Sequence, residues 1–247
     1  AICPDSFVIH APQNIVGGDF YWVSQAGPYV YLAVADCTGH GMEGFHLSMV
    51  ALTLLRSAIL EQRERSASHI LSTLNDGLIQ AQSSGNAGIS FSEGLDISVC
   101  VIDTEGQVVD FAGAFQRLVH VTPNGMTIYK GDAVFTGASP RTSYSSHRVH
   151  YELDDMLYLF SDGYADQFGG ERGEKFQFAR FCGLLEEIST QPCEQQKATL
   201  LERLREWQGN QTQVDDITVL GVRCLFAKER APQRSGNVAL ADHHQMA

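Results

Sequence analysis

The sequence predicts an α+β domain, with a core of two mostly antiparallel sheets and helices packed on the outside. Three observations carry that expectation. The hydrophobic period passes from two to 3.6 and back, twice, along the chain. The strand-like runs in the middle are joined by short turn signals, TEG at 104–106 and PNG at 123–125, which favour hairpins. No internal repeat, low-complexity block or linker divides the 247 residues, so one domain is the economical reading.

The elements follow in order. FVIH (7–10), DFYWV (19–23) and YVYLAVAD (29–36) read as strands, with GP at 27–28 turning between the last two. Leu47, Val50, Ala51, Leu54, Leu55, Ala58 and Ile59 then keep helical spacing, which predicts an amphipathic helix over about 42–63. Ser66 or Ser68 suits the cap of a second helix carrying Ile70, Leu71, Leu74, Leu78 and Ala81, which SSGNAG (83–88) ends. DISVCVID (96–103), QVVDFAGA (107–114), RLVHVT (117–122) and MTIYKG (126–131) return to strands, as do HRVHYEL (147–153) and DMLYLFSD (155–162). Phe178, Phe181, Cys182, Leu185 and Ile188 mark a third helix, and Leu200, Leu201, Leu204 and Trp207 a fourth. DDITVLGVRCLF (215–226) closes a domain spanning 1–226, and the polar, aperiodic 227–247 reads as a disordered tail.

Composition narrows the function. With 44% hydrophobic and 19% charged residues the chain is ordinary globular material, and its net charge of −12 disfavours nucleic acid as a partner. No apolar run approaches the roughly 20 residues a bilayer span needs. The chain starts at Ala1 without a signal-peptide pattern, which suggests a fragment of a longer protein or a processed product. Cysteines at 3, 37, 100, 182, 193 and 224 show neither CxxC pairs nor zinc spacing, so buried thiols in a reducing cytoplasm are expected.

The aspartates carry the chemistry. Asp19 follows Gly17 and Gly18. Asp36 ends YVYLAVA, Asp162 ends MLYLF, and Asp215 and Asp216 precede ITVLGV. A carboxylate at the end of a buried strand is costly unless it is paired or bound to a cation. His40 and Arg117, the nearest basic residues, are too few to neutralise them. A pair of hard divalent cations would satisfy them all. A single Asp-Gly after a strand is usually only a turn, but four acidic strand ends point beyond turns. GGDF also stands one residue short of the GGDEF signature of a nucleotide cyclase, an alternative that leaves SDG and DDIT unexplained.

GGDFYW, VADCTGHG, LYLFSDG and VDDITVLGV, in that order and spacing, resemble the motifs of metal-dependent protein phosphatases of the PP2C (PPM) class, in particular its SpoIIE-type bacterial branch. The resemblance runs from about residue 7 to 226 and implies an αββα β-sandwich holding two Mn²⁺ or Mg²⁺ ions. It implies that Asp36 bridges the metals, that Cys37 offers its backbone carbonyl, that Asp162 and Asp215 are direct ligands, and that Asp19 serves the second metal. Asp216 is implied as a supporting residue and His40 as one that orders its loop. Where many relatives read GDSR this chain reads GAFQR (113–117), with Ala114 in place of an acid, which implies two metals rather than three. GME (41–43) stands where GVP is common. Arg117 is the candidate substitute for a phosphate-binding arginine missing before Asp19.

The implied activity is hydrolysis of phosphoserine or phosphothreonine on a bacterial regulatory protein, a STAS-type antagonist or similar, which a cognate kinase phosphorylates in a partner-switching pathway. A catalytically silent docking module is the alternative. DCTGHG with SDGYADQFGG (161–170) is similar to phosphatases of Sia-type systems, cytoplasmic domains often attached to a membrane-anchored sensor region. SSGNAG, TGASPRTSYSS (136–146) and QFGGERGEKF (167–176) are candidate docking surfaces, the last through Arg172 and Lys175.

Overall fold

A strand buried on both faces reads as an unbroken apolar run rather than an alternating one, and YVYLAVA, MLYLF and ITVLGV are such runs. In the computed structural model, which describes residues 2–38, 42–83, 94–137, 139–140 and 142–226, each of these runs is a central strand. The first half contains β1 (Ser6–Ala11), β2 (Phe20–Ala26), β3 (Tyr29–Cys37), α1 (Met42–Arg56), α2 (Ala67–Ser83), β4 (Leu95–Asp103) and β5 (Val108–Ala114). The second contains β6 (Arg117–Thr122), β7 (Gly125–Lys130), β8 (His147–His150), β9 (Met156–Phe160), α3 (Gly163–Asp166), β10 (Phe168–Gly169), β11 (Glu174–Lys175), α4 (Phe178–Ile188), α5 (Cys193–Gln208) and β12 (Ile217–Arg223).

Two five-stranded sheets result, ordered β1-β12-β9-β6-β7 and β2-β3-β4-β5-β8, with antiparallel ladders throughout. Alternate side chains of each strand face opposite ways. Leu32 and Val34 of β3 and Leu157 and Leu159 of β9 meet between the sheets. Tyr31, Ala33 and Ala35 face outward onto Leu47, Ala51 and Leu71 of the helical layer α1–α2. Tyr158 and Phe160 face outward onto Phe181, Leu185 and Leu200 of α4–α5. The architecture is the expected αββα sandwich.

Several elements differ from expectation. The first helix does not run unbroken to 63: its α-helical part ends at Arg56 and a π-helical turn, Ser57–Glu61, follows. Neither candidate serine caps the second helix through its side chain. The Ser66 and Ser68 hydroxyls bond each other at 3.0 Å, and the first helical N–H, that of Ala67, donates to Asp110 Oδ2 of β5 at 2.8 Å. The strand expected over 147–153 stops at His150, where its pairing with β5 ends at Val108. The strands expected over 155–162 and 215–226 are trimmed to β9 and β12, so Asp162, Asp215 and Asp216 lie outside the ladders. The one-turn α3 and the two-residue β10–β11 ribbon are too short to leave a period in the sequence.

All six cysteines are buried and unpaired. Contrary to the expectation that no apolar run approaches a bilayer span, one helical stretch among the described residues, Met42–Glu61, has the length and composition to cross a membrane. Here it packs on the sheet through Leu47, Ala51, Leu55, Ala58 and Ile59. The expected tail, 227–247, lies outside the described residues.

Candidate active site

Antiparallel pairing gathers the acidic strand ends. β3 finishes beside the start of β2, with Phe20 opposite Ala35, and beside the start of β4, with Asp36 directly opposite Asp96. In the other sheet β9 finishes beside the start of β12, with Phe160 opposite Val219. Asp19, Asp36, Asp96, Asp162, Asp215 and Asp216 therefore converge on one end of the sandwich.

Asp19 is 6% exposed. Its Oδ2 accepts the Ser161 hydroxyl at 2.5 Å, while its Oδ1 is buried without a partner. Ser161 Oγ in turn accepts the Thr218 N–H at 3.0 Å, tying both β9 and β12 to Asp19. Asp216 does not present a free carboxylate to the cluster. Its Oδ1 accepts the Gln13 N–H at 2.6 Å, and its Oδ2 accepts the N–H groups of Gly18 at 2.7 Å and Asp19 at 3.3 Å. It fastens the GGD loop to the end of β12. Both glycines are needed there: a Cβ on Gly17 would strike the Asp216 carboxylate, and one on Gly18 would come within 2.7 Å of the Cys37 carbonyl oxygen. The same contact places the Cys37 carbonyl beside the loop that presents Asp19.

Burial, followed by the charges of Asp19, Asp162, Asp215 and Asp96, pushes the Asp36 carboxyl up to about 9. Asp19 is pushed up to about 7, by burial first, against the opposing pull of the Ser161 hydrogen bond. Asp162 and Asp215 stand at the open mouth, and their carboxyls are raised too, by the desolvating surround first. Neighbouring acids add to this, Asp215 acting on Asp162 and Asp216 on Asp215. Several perturbed acids in one place make this end of the sandwich the candidate functional site.

Asp96 is the residue that sequence reasoning missed. Burial and then the charge of Asp162 raise it to about 7, and its Oδ1 is buried without a partner. The signal was present, an acid heading the apolar run ISVCVI, but a strand start inside a hairpin hid it. Ser161 was also missed, because a serine before SDG's aspartate carries no signal of its own.

The basic candidates are placed less simply. Arg117 lines a cavity of about 200 Å³ together with Asp96 and Asp162, and its guanidinium lies 4.6 Å over the Phe178 ring. Lys175 Nζ is already engaged, donating to Asp166 Oδ2 at 2.6 Å. Arg172 sits exposed in the turn between β10 and β11. His40 and most of SSGNAG lie outside the described residues.

The donor set suits hard cations. It is all oxygen, two of its buried carboxylate oxygens lack any partner, and no ion pair among the described residues involves Asp19, Asp36, Asp96, Asp162, Asp215 or Asp216. Among the described residues no group of three or more His, Cys, Asp or Glu side chains is arranged to hold one metal ion.

Comparison with known proteins bears on the family and the fold. A family profile described as Stage II sporulation protein E (SpoIIE) matches residues 26–225. The chain is similar to the SiaA-PP2C domain of Pseudomonas aeruginosa, with 29% identity and a TM-score of 0.81 over 88% of this chain and 85% of that one. It also has the fold of the phosphatase domain of SpoIIE from Bacillus subtilis, at 17% identity and a TM-score of 0.72 over 89% of this chain and 61% of that one. RsbX solved in complex with magnesium shares the fold at 16% identity and a TM-score of 0.65, over 88% of this chain and 94% of that one. Comparison with curated protein sequences gives no match.

Proposed function

The chain belongs to the SpoIIE family of PP2C-type phosphatase domains, and on that premise we propose that it is a metal-dependent protein serine/threonine phosphatase. The observation that carries this reading is the convergence of Asp19, Asp36, Asp96, Asp162 and Asp215 with unpartnered buried oxygens and no ion pair to any of them among the described residues.

Asp36, which feels the charge of all four of the others, would hold the Mn²⁺ or Mg²⁺ ions in common with its neighbours. Asp162 and Asp215 would be further carboxylate ligands. Asp19, through the Oδ1 that Ser161 leaves free, and the Cys37 carbonyl would complete the oxygen set. Asp216 and Ser161 do not bind metal. They hold the ligand loop in place, the role that supporting hydrogen bonds play at metal sites. Two such cations supply Lewis acidity toward a water nucleophile and toward the phosphoryl oxygens. Arg117, beside Asp162, orients the phosphate through its guanidinium. The chain's thiols are not used: Cys37, next to Asp36, is held protonated by burial and by the acids around it.

The substrate is a phosphorylated regulatory protein of a partner-switching pathway, paired with a cognate kinase. The likeness to the SiaA-PP2C domain supports that context. Magnesium in the RsbX structure and the all-oxygen donors here support the choice of metal. Six unpaired buried thiols fit a cytoplasmic setting.

The test is turnover of a small aryl phosphate and of a phosphorylated antagonist protein with Mn²⁺ or Mg²⁺. We expect hydrolysis of both, abolished by a chelator. No hydrolysis with either metal would identify a silent docking module, and full activity on verified metal-free protein would reject the metal mechanism.

A further inference from the structure

Phe115 combines two features that the metal site does not explain. It is a bulky residue in the left-handed region, with φ of 54°, and the residue is 40% exposed. Left-handed backbone is a genuine outlier for such a side chain and persists only where its surroundings impose it. They do so here. The Phe115 N–H donates to Asp132 O at 2.8 Å, and the next N–H, that of Gln116, turns back onto Ala114 O at 2.6 Å. Gly131 packs against Gly113 so closely that a side chain there would overlap the backbone. The loop is clamped, and the clamp turns the ring outward instead of into the core. Phe135 backs the ring, with centroids 4.6 Å apart.

The exposed ring has a definite address. It lines the same cavity of about 200 Å³ as Asp96, Arg117, Phe160, Asp162 and Phe178. The lining mixes the acids Asp96, Asp162 and Asp166 and the cation Arg117, which the phosphatase reading uses for metal and phosphoryl group, with three aromatic rings, Phe115, Phe160 and Phe178, of which Phe178 already lies under the Arg117 guanidinium. The space suits one side chain of about leucine size.

We propose that Phe115 is a specificity-determining residue that packs against an apolar side chain directly beside the phosphorylated serine or threonine of a protein substrate. This rests on the phosphatase reading and adds to it a preference in the substrate's sequence. The ring is held exposed in advance, so it loses little freedom on binding. A substrate with leucine next to the phosphoresidue covers it, and one with glycine leaves it in water.

The experiment compares phosphopeptides that differ only in carrying leucine or glycine beside the phosphoserine, on either side, with Mn²⁺ present. We expect the wild-type chain to favour one leucine peptide about tenfold in kcat/KM. Phe115→Gly, which tolerates the left-handed backbone, should bring that ratio close to one. Phe115→Tyr should keep it. A wild-type chain without preference, a ratio unmoved by Phe115→Gly, or an equal loss on both peptides with the ratio intact would each overturn the proposal. Turnover of no phosphorylated substrate by the wild-type chain would overturn the phosphatase reading itself, and this inference with it.

Discussion

Asp36 lies where the end of β3 faces Asp96 across the ladder, and four other carboxylates act on it after burial does. Replacing it by asparagine keeps the shape and removes the charge that the proposed metals share. Loss of a supporting residue at a metal site costs roughly 10–100-fold in affinity or activity. Asp216→Ala, which frees three backbone N–H groups, should fall in that range for Mn²⁺ affinity. Asp36→Asn should exceed it while the circular dichroism spectrum stays native. Asp96→Asn should weaken Mn²⁺ binding less than Asp36→Asn does. Calorimetric titration of the three variants checks the order. An Asp96→Asn variant that binds as the wild type does would remove Asp96 from the site.

At the scale of elements, the start of α2 shows how local chemistry and tertiary structure compete. A serine before a helix is a good cap in isolation. Here Asp110, reaching from β5, takes the Ala67 N–H and brings a negative charge to the helix's positive end. Asp110→Ala should therefore cost on the order of 1 kcal/mol of stability, and Ser66→Ala less. Urea denaturation of the two variants tests this, and a larger loss from Ser66→Ala would contradict the assignment. The same logic trims β9 and β12. Their ladders stop before Ser161 and Asp216, which frees Ser161 to bond Asp19 and Asp216 to hold the GGD loop.

The whole molecule bears the repulsion collected at its acidic end. In the metal-free fold, Asp19 and Asp96 keep their protons up to about 7 and Asp36 up to about 9, against an ordinary aspartate value of 3.8. The folded state thus binds more protons than the unfolded chain between these values, and its stability falls as pH rises. The contribution of these groups is complete below 3.8 and is lost as pH climbs through about 7 and then about 9. Chelator-treated protein should therefore melt several degrees lower at pH 8 than at pH 5.5, at roughly 2–4 °C for each kcal/mol. Saturating Mn²⁺ should restore Tm at pH 8, because the cations bind the folded state alone. Asp36→Asn should flatten the pH dependence of the metal-free protein. A Tm of the metal-free wild type that rises from pH 5.5 to 8 would contradict the picture.

By itself the sequence determined the layers and the main ligand candidates. Strands buried on both faces had to be unbroken apolar runs, and aspartates could end such runs only where something answered their charge. Tertiary structure decided the rest, because it depended on partners far apart in the chain. Asp96 joins the site only because β4 pairs with β3 in a register that sets it opposite Asp36. Asp216 became a loop fastener because the GGD segment, some 200 positions earlier, brings its N–H groups to it. Lys175, which reads as part of a free basic patch, is tied to Asp166 by the one-turn helix α3, an element too short to leave a hydrophobic period. Phe115 reads as one more apolar residue next to a strand. Its exposure and left-handed backbone come from a crossing loop at Gly131 and Asp132, a contact that no local pattern encodes.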